Sequence, residues 1–176
     1  MMKRRTSPEQ ELMRRSGEMQ RVLREIAEAA VVESSLSELY QTVHQLLLRV
    51  LPAENCNFAM LDDSGQHIVA PYCVDESRTI QRERPVGQGI TEYVMHQGKA
   101  MHVTLDEWRR LQASGEIKLH FAPVQNYLGA PLVDSQGQAF GVLSINVMGE
   151  SYTFQEEDVE ALSIIAAQVS LAIERK

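Results

Sequence analysis

The residues able to do chemistry in this sequence are few: two cysteines, five histidines and one turn bracketed by glycines. Cys56 and Cys73 could supply a thiolate nucleophile or a redox pair. Both fall inside runs of strand character, residues 55–62 and 67–75, where apolar burial raises a thiol pKa and blunts its reactivity. They read as two small buried hydrophobes, and no metal-site spacing surrounds them. His44, His67, His96, His102 and His120 show no ligand spacing either. His96 and His102, on either side of Gly98, are in neither helical nor strand register. No metal site and no catalytic residue is expected.

Gly87-Gln88-Gly89 precedes a helical pattern and could cradle a phosphate on backbone amides. A dinucleotide fingerprint would place its third glycine at position 92, where this chain has Glu92. A carboxylate in the first helical turn satisfies the helix dipole and repels phosphate, so the glycines read as turn formers. The segment 104–127 is a better place for a ligand. Trp108, His120, Phe121 and Tyr127 bring aromatic surface with polar tips into one connecting region, which suits a small molecule of apolar to mixed character. Met60, Cys73, Met95 and Ser144 complete the candidate ligand-binding set as floor residues. The identity of any cofactor or ligand stays open.

The elements that must position these residues follow from periodicity. Leu12, Met19, Val22 and Ile26 recur at helical spacing from Pro8 to about Val32, behind Ser7 as cap. Ser35 and Glu38 have capping-box spacing ahead of a second helix with a broad apolar face. Two strands then flank Asp62-Asp63-Ser64-Gly65, a hairpin turn in which Asp and Ser bond local amides and Gly65 supplies positive φ. After the polar stretch ESRTIQRER comes a short helix near Ile90 closed by Gly98, then a strand at 100–103. A helix capped by a Thr104/Glu107 box follows, then a loop at 116–123. Strands at 124–133 and 138–148 precede a long helix from about Gln155, with Thr153 as its expected cap. Hairpin-linked strands framed by helices imply an α+β domain built on an antiparallel sheet.

Composition narrows the partners. A net charge of −7 argues against general nucleic-acid binding. No apolar run approaches the roughly 20 residues of a membrane span, and the start lacks the pattern of a signal peptide. The expected location is cytoplasmic. The first helix carries a narrow apolar stripe, and the last one repeats Val159, Leu162, Ala166, Val169 and Ile173 at three-four spacing. Together these suggest a homodimer whose interface comprises Leu12, Met19, Val22, Ile26, Ala166, Val169 and Ile173. Residues 1–33 would form the dimerisation and signalling helix, and 34–176 the sensory domain.

Four segments in this order resemble the GAF domain family: LYQTVHQLLLRVL, VGQGITEYVMHQGKAMHV, YLGAPLVDSQGQAFGVLSINV and FQEEDVEALSIIAAQVSLAIE. The likeness spans about residues 36–175. It implies a PAS-related central antiparallel sheet of five to six strands, terminal helices on one face, and short helices or loops over a pocket on the other. It also implies a sensor of small molecules that relays to an output domain such as a diguanylate cyclase or histidine kinase. Cyclic-nucleotide-binding members carry an Asn-Lys…Phe-x-x-x-Asp-Glu signature. This chain keeps Asn146, Phe154 and Asp158 but has Val147 and Val159 at the other two positions. Bilin-binding members use a cysteine often followed by histidine, and no such dipeptide occurs here. The alternative implied by the family is an enzyme of the free-methionine-sulfoxide reductase type.

Overall fold

The computed structural model describes residues 7–75, 81–118, 124–149 and 152–176. Helix α1 (Pro8–Val32) starts at Ser7, whose side chain accepts from the Gln10 amide while Gln10 returns a bond to the Ser7 amide. Helix α2 (Leu36–Leu47) starts with the same reciprocal box between Ser35 and Glu38. Such caps satisfy amides that have no partner inside the helix, at about 1 kcal/mol each.

Strands β1 (Asn55–Leu61) and β2 (His67–Val74) form the expected hairpin. In its turn Asp62 Oδ1 accepts from the amides of Gln66 and His67, and Gly65 has φ 69°. Opposite Ala59, β2 carries an extra residue: Phe58 pairs with Tyr72 and Met60 with Val69, leaving Ala70 and Pro71 as a bulge. A proline inside a strand is tolerated there because a bulge has no ladder bond to lose.

Strand β3 (Glu83–Pro85) overlaps the end of the polar stretch ESRTIQRER, to which the sequence reading assigned no element. Three residues are too short to show an alternating pattern, and pairing with β2 is what makes them a strand. Helix α3 (Ile90–Gln97) ends at Gly98 with φ 67°. It is followed by β4 (Met101–Thr104) and α4 (Leu105–Ala113). Thr104 caps α4 by accepting from the Glu107 amide, but the Glu107 side chain binds Arg110 and does not close the expected box. Strands β5 (Asn126–Val133) and β6 (Ala139–Val147) form the second hairpin. Helix α5 (Glu156–Glu174) is capped by Gln155, not Thr153. Asp158 bends back to accept from the Gln155 amide at 2.8 Å and from the Tyr152 hydroxyl at 2.7 Å.

The described strands form one antiparallel sheet in the order β3-β2-β1-β6-β5-β4, so β1 and β6 join the two hairpins. Alternation sends Cys56, Phe58 and Met60 of β1, Leu128, Ala130 and Leu132 of β5, and Leu143 and Ile145 of β6 toward α1, α2 and α5. The opposite face meets α3 and α4 through Ile90, Val94, Val103, Trp108, Leu111, Tyr127 and Val142.

Val22, Ile26, Ala29 and Ala30 of α1 are buried in the first of these cores. Burial of Val22 and Ile26 stabilises by roughly 1.5–3 kcal/mol each. Arg49, just beyond α2, adds ion pairs to Glu18 and Glu25 of α1 at 2.6 and 2.7 Å. The second half of α1 is thus a docked core helix, where its narrow stripe had suggested a seam. No helix among the described residues is long and apolar enough to cross a membrane.

Candidate ligand-binding site

Register across the sheet assembles one line of residues on the face opposite the helical layer. Cys73 pairs with Asn57, Asn57 with Ser144, Ser144 with Gly129, and Gly129 with Met101. At a strand spacing of about 4.8 Å, the line from Cys73 to Gly129 is about 14 Å long. The neighbouring line holds Asn55 opposite Asn146 and Asn146 opposite Tyr127, with Asn55 donating to Asn146 Oδ1 at 3.1 Å.

Asn57 is the member whose chemistry is unfinished. Its Oδ1 is buried and has no hydrogen-bond partner among the described residues. A buried acceptor left in that condition costs about 1–3 kcal/mol. Ser144 beside it is 8% exposed, and no hydrogen bond of its hydroxyl is found among the described residues.

Aromatic residues wall the line on the β5 side. Trp108 of α4 meets Tyr127 edge-on, with ring centroids 5.7 Å apart. The Tyr127 ring lies across Gly129, where a Cβ would come within 2.7 Å of the Tyr127 hydroxyl. Gly141 answers a different close approach: a Cβ there would stand 2.7 Å from the Ala59 carbonyl oxygen and from the Met60 sulfur. Both glycines are required by their close neighbours.

Two connections close toward this face. The amide of Lys118, in the segment leading to β5, donates to the Gln88 carbonyl ahead of α3. Arg84 of β3 pairs with Glu92 of α3 at 2.5 and 2.8 Å, both side chains being nearly buried, and Glu92 also accepts from the Gly87 amide at 2.8 Å. Burial opposes ionisation of Glu92, yet the bonds from Arg84 and Gly87 hold its carboxyl below the usual carboxylate range. A backbone amide that a phosphate cradle would use is therefore already engaged by a carboxylate.

The structure brings together Cys73, Ser144, Tyr127 and Trp108 from the sequence-derived ligand set, with Met95 packed at the edge of the same cluster. Met60 is corrected. It packs with the helical core on the other face, because a strand residue next to one that lines the site points away from it. His120 and Phe121 lie outside the described residues. Asn57 was missed. Nothing in one strand reveals which polar residue will lack a partner across the sheet.

The cysteines occupy opposite faces: Cys56 with Phe58 under the helices, Cys73 with Asn57 on the site face. Neighbouring strands thus turn the two side chains apart, which a disulfide does not allow. Burial pushes the Cys56 thiol well above its ordinary value. His44 has a structural role. Buried His44 lies 2.7 Å from the Ala53 carbonyl oxygen through Nε2 and 2.7 Å from the Tyr72 hydroxyl through Nδ1. A carbonyl can only accept, so Nε2 donates. Among the described residues, no group of three or more His, Cys, Asp or Glu side chains could hold a metal ion.

The three matching positions of the cyclic-nucleotide signature are likewise engaged. Asn146 accepts from Asn55, Asp158 caps α5, and Phe154 is buried against His102 and Tyr152. Tyr152 itself is pushed up to about 12 by burial and by its bond to the Asp158 carboxylate.

Of the seven residues expected at a dimer interface, Val22, Ile26, Ala166 and Val169 are buried within the chain's own core and offer a second copy no surface. Met19 and Ile173 are partly buried against that core, and Leu12 is exposed. The outward stripe of α5 instead runs Glu160, Ile164, Ala167, Leu171, Glu174, again at three-four spacing. Ile164 and Leu171 are half exposed.

Comparison with known proteins agrees with this architecture. The GAF domain of a phosphoenolpyruvate-protein phosphotransferase from Coxiella burnetii superposes with a TM-score of 0.68 at 20% identity, over 89% of this chain and 93% of that one. A methyl-accepting chemotaxis protein segment gives 0.69 at 18% identity, over 85% and 95%. A free methionine-R-sulfoxide reductase from Neisseria meningitidis, solved with its substrate, gives 0.66 at 18% identity, over 89% of each chain. At these identities the likeness is one of fold. No curated protein matches the chain. The family model described as GAF domain matches residues 33–174, and the chain belongs to the GAF domain family.

Proposed function

We propose that this chain is a small-molecule sensor without catalytic activity of its own, which binds its ligand over the Asn57–Ser144 line and self-associates through α5 and the start of α1. GAF domains are generally signalling and ligand-sensing modules. The observation that carries the reading is the position of β5. Its Tyr127 and Gly129 face the site, while Leu128, Ala130 and Leu132 pack under the terminal helices. The end of the hairpin is tied to α5 directly: the Val133 amide donates to Ser170 Oγ at 3.0 Å and the Ser135 amide to Glu174 Oε1 at 2.9 Å. A ligand that favours one placement of β5 therefore biases the packing of α5. A groove of about 340 Å³ between α1 and α5, where Leu12, Met19, Ala161 and Ile164 lie among charged residues including Arg15 and Glu160, supports a mixed apolar and charged seat for a second copy. Relay to an output domain of the diguanylate cyclase or histidine kinase kind follows as the use of such a helix.

Native mass spectrometry of the purified protein, in its free and small-molecule-bound masses, tests the reading together with sedimentation velocity. A dimer whose mass distribution includes a bound small molecule supports it. A monomer at all concentrations, with no small molecule retained, sinks it.

A further inference from the structure

We propose that the site takes a neutral ligand that presents an N–H or O–H donor to Asn57 Oδ1, with Ser144 as its neighbouring contact. This rests on the ligand-sensing reading above and narrows it to a chemical class.

Three observations carry it. Asn57 Oδ1 is buried and unpartnered, and an acceptor at the centre of a sheet face gains most from a donor that arrives with a ligand. The strand residues around it on this face are uncharged: Asn55, Ala59, Val142, Ser144 and Asn146. The charged strand residue that the register places on this face, Arg84, is already paired with Glu92. A carboxylate or ammonium group set against this floor would lose its hydration with no unpaired opposite charge among the described strand residues to replace it. A neutral amide, lactam or hydroxyl group loses little and completes the acceptor. The half of the ligand nearer β5 meets the Tyr127 ring, which covers Gly129 and is backed edge-on by Trp108, and this suits an apolar or aromatic body.

The experiment compares three probes of one shape by titration against the ¹⁵N-labelled protein: benzamide, acetophenone and benzoate. Benzamide is neutral and donates, acetophenone is neutral without a donor, and benzoate is an anion. Benzamide is expected to shift the Asn57 and Ser144 amide resonances and to bind about tenfold more tightly than either of the others. In Asn57→Leu, which keeps the volume and removes the acceptor, benzamide should fall to the level of acetophenone. Asn57→Ala serves in its place if the leucine variant does not fold.

Equal binding of all three probes at this face would overturn the donor requirement while leaving the sensory reading intact. Tighter binding of benzoate would overturn the neutral class. A benzamide preference that survives loss of Asn57 would also overturn the proposal, since another acceptor would then be responsible. Absence of any shift on this face with all three probes would count against both the proposal and the sensory reading.

Discussion

The hydroxyl of Tyr127 occupies the space that a side chain on Gly129, two residues along the same strand face, would enter; a Cβ there would stand 2.7 Å from both the hydroxyl and ring atom Cε1. Tyr127 is almost fully buried and packs edge-on against Trp108, so the ring has nowhere to retreat. Overpacking of this kind costs about 1–3 kcal/mol, more than the 0.4–1 kcal/mol that alanine recovers by restricting the unfolded chain. Gly129→Ala should therefore lower stability by about 1–2 kcal/mol in urea denaturation. In the Tyr127→Leu background, which has no ring across the glycine, the same substitution should cost little or nothing. Additive losses in that double-mutant cycle would show that the steric account is wrong.

The Arg84–Glu92 pair joins the edge strand β3 to the first turn of α3 with both side chains nearly buried. Replacing Glu92 by Gln leaves a buried guanidinium without its counter-charge, at about 3 kcal/mol. The pH dependence follows from the direction of the shift. The folded-state pKa of Glu92 is lowered, so its contribution is complete above the unfolded carboxylate value of about 4.3 and fades as pH falls toward the folded value. The stability difference between wild type and Glu92→Gln should be largest at pH 7 and shrink below about pH 4. A difference that grows on acidification would contradict it.

Exposed and buried residues of α5 should separate association from folding. Ile164→Glu and Leu171→Glu change surface positions, where substitutions usually alter stability by no more than about 0.5 kcal/mol. Both should weaken self-association in sedimentation while the melting temperature stays nearly constant. Val169 is fully buried in the chain's own core, and Val169→Glu should prevent folding altogether by burying an unpaired charge. Unchanged association in both surface variants would remove α5 from the interface.

The cysteines give a test of the enzymatic alternative. With Cys56 and Cys73 on opposite sheet faces, mild oxidation should yield no intramolecular disulfide by mass spectrometry. A thiol reagent should reach Cys56 only after denaturation, because that thiol is buried. Reduction of free methionine sulfoxide should be undetectable in wild type. Turnover that disappears in Cys73→Ser would reinstate the reductase reading.

Much of the architecture was legible in the residues themselves because it is set locally. Ser7, Ser35 and Thr104 cap helices through bonds that span three residues. Gly65 and Gly98 adopt positive φ where a turn or helix end demands it. Helical and strand periods emerge wherever one face is buried. Strand β3 escaped because it is only three residues long and exists through its pairing with β2. The α5 cap shifted from Thr153 to Gln155 because Asp158 and Tyr152 together hold that turn.

What each face does could not be read the same way. Met60 is apolar and at strand spacing, but register assigned it to the helical core. Val169 and Ile164 both lie in apolar repeats of one helix, and only the packing of α5 over β5 determined which is inside. Asn57 looks ordinary in sequence; its buried, unpartnered oxygen arises from the strands on either side. Sequence alone determined the described elements other than β3, their order and the family likeness, because caps, turns and periodicity depend on near neighbours. The tertiary structure decided which residues share a sheet face with Asn57 and which face of α5 is exposed, because those depend on residues that are distant in the chain and brought together by the sheet.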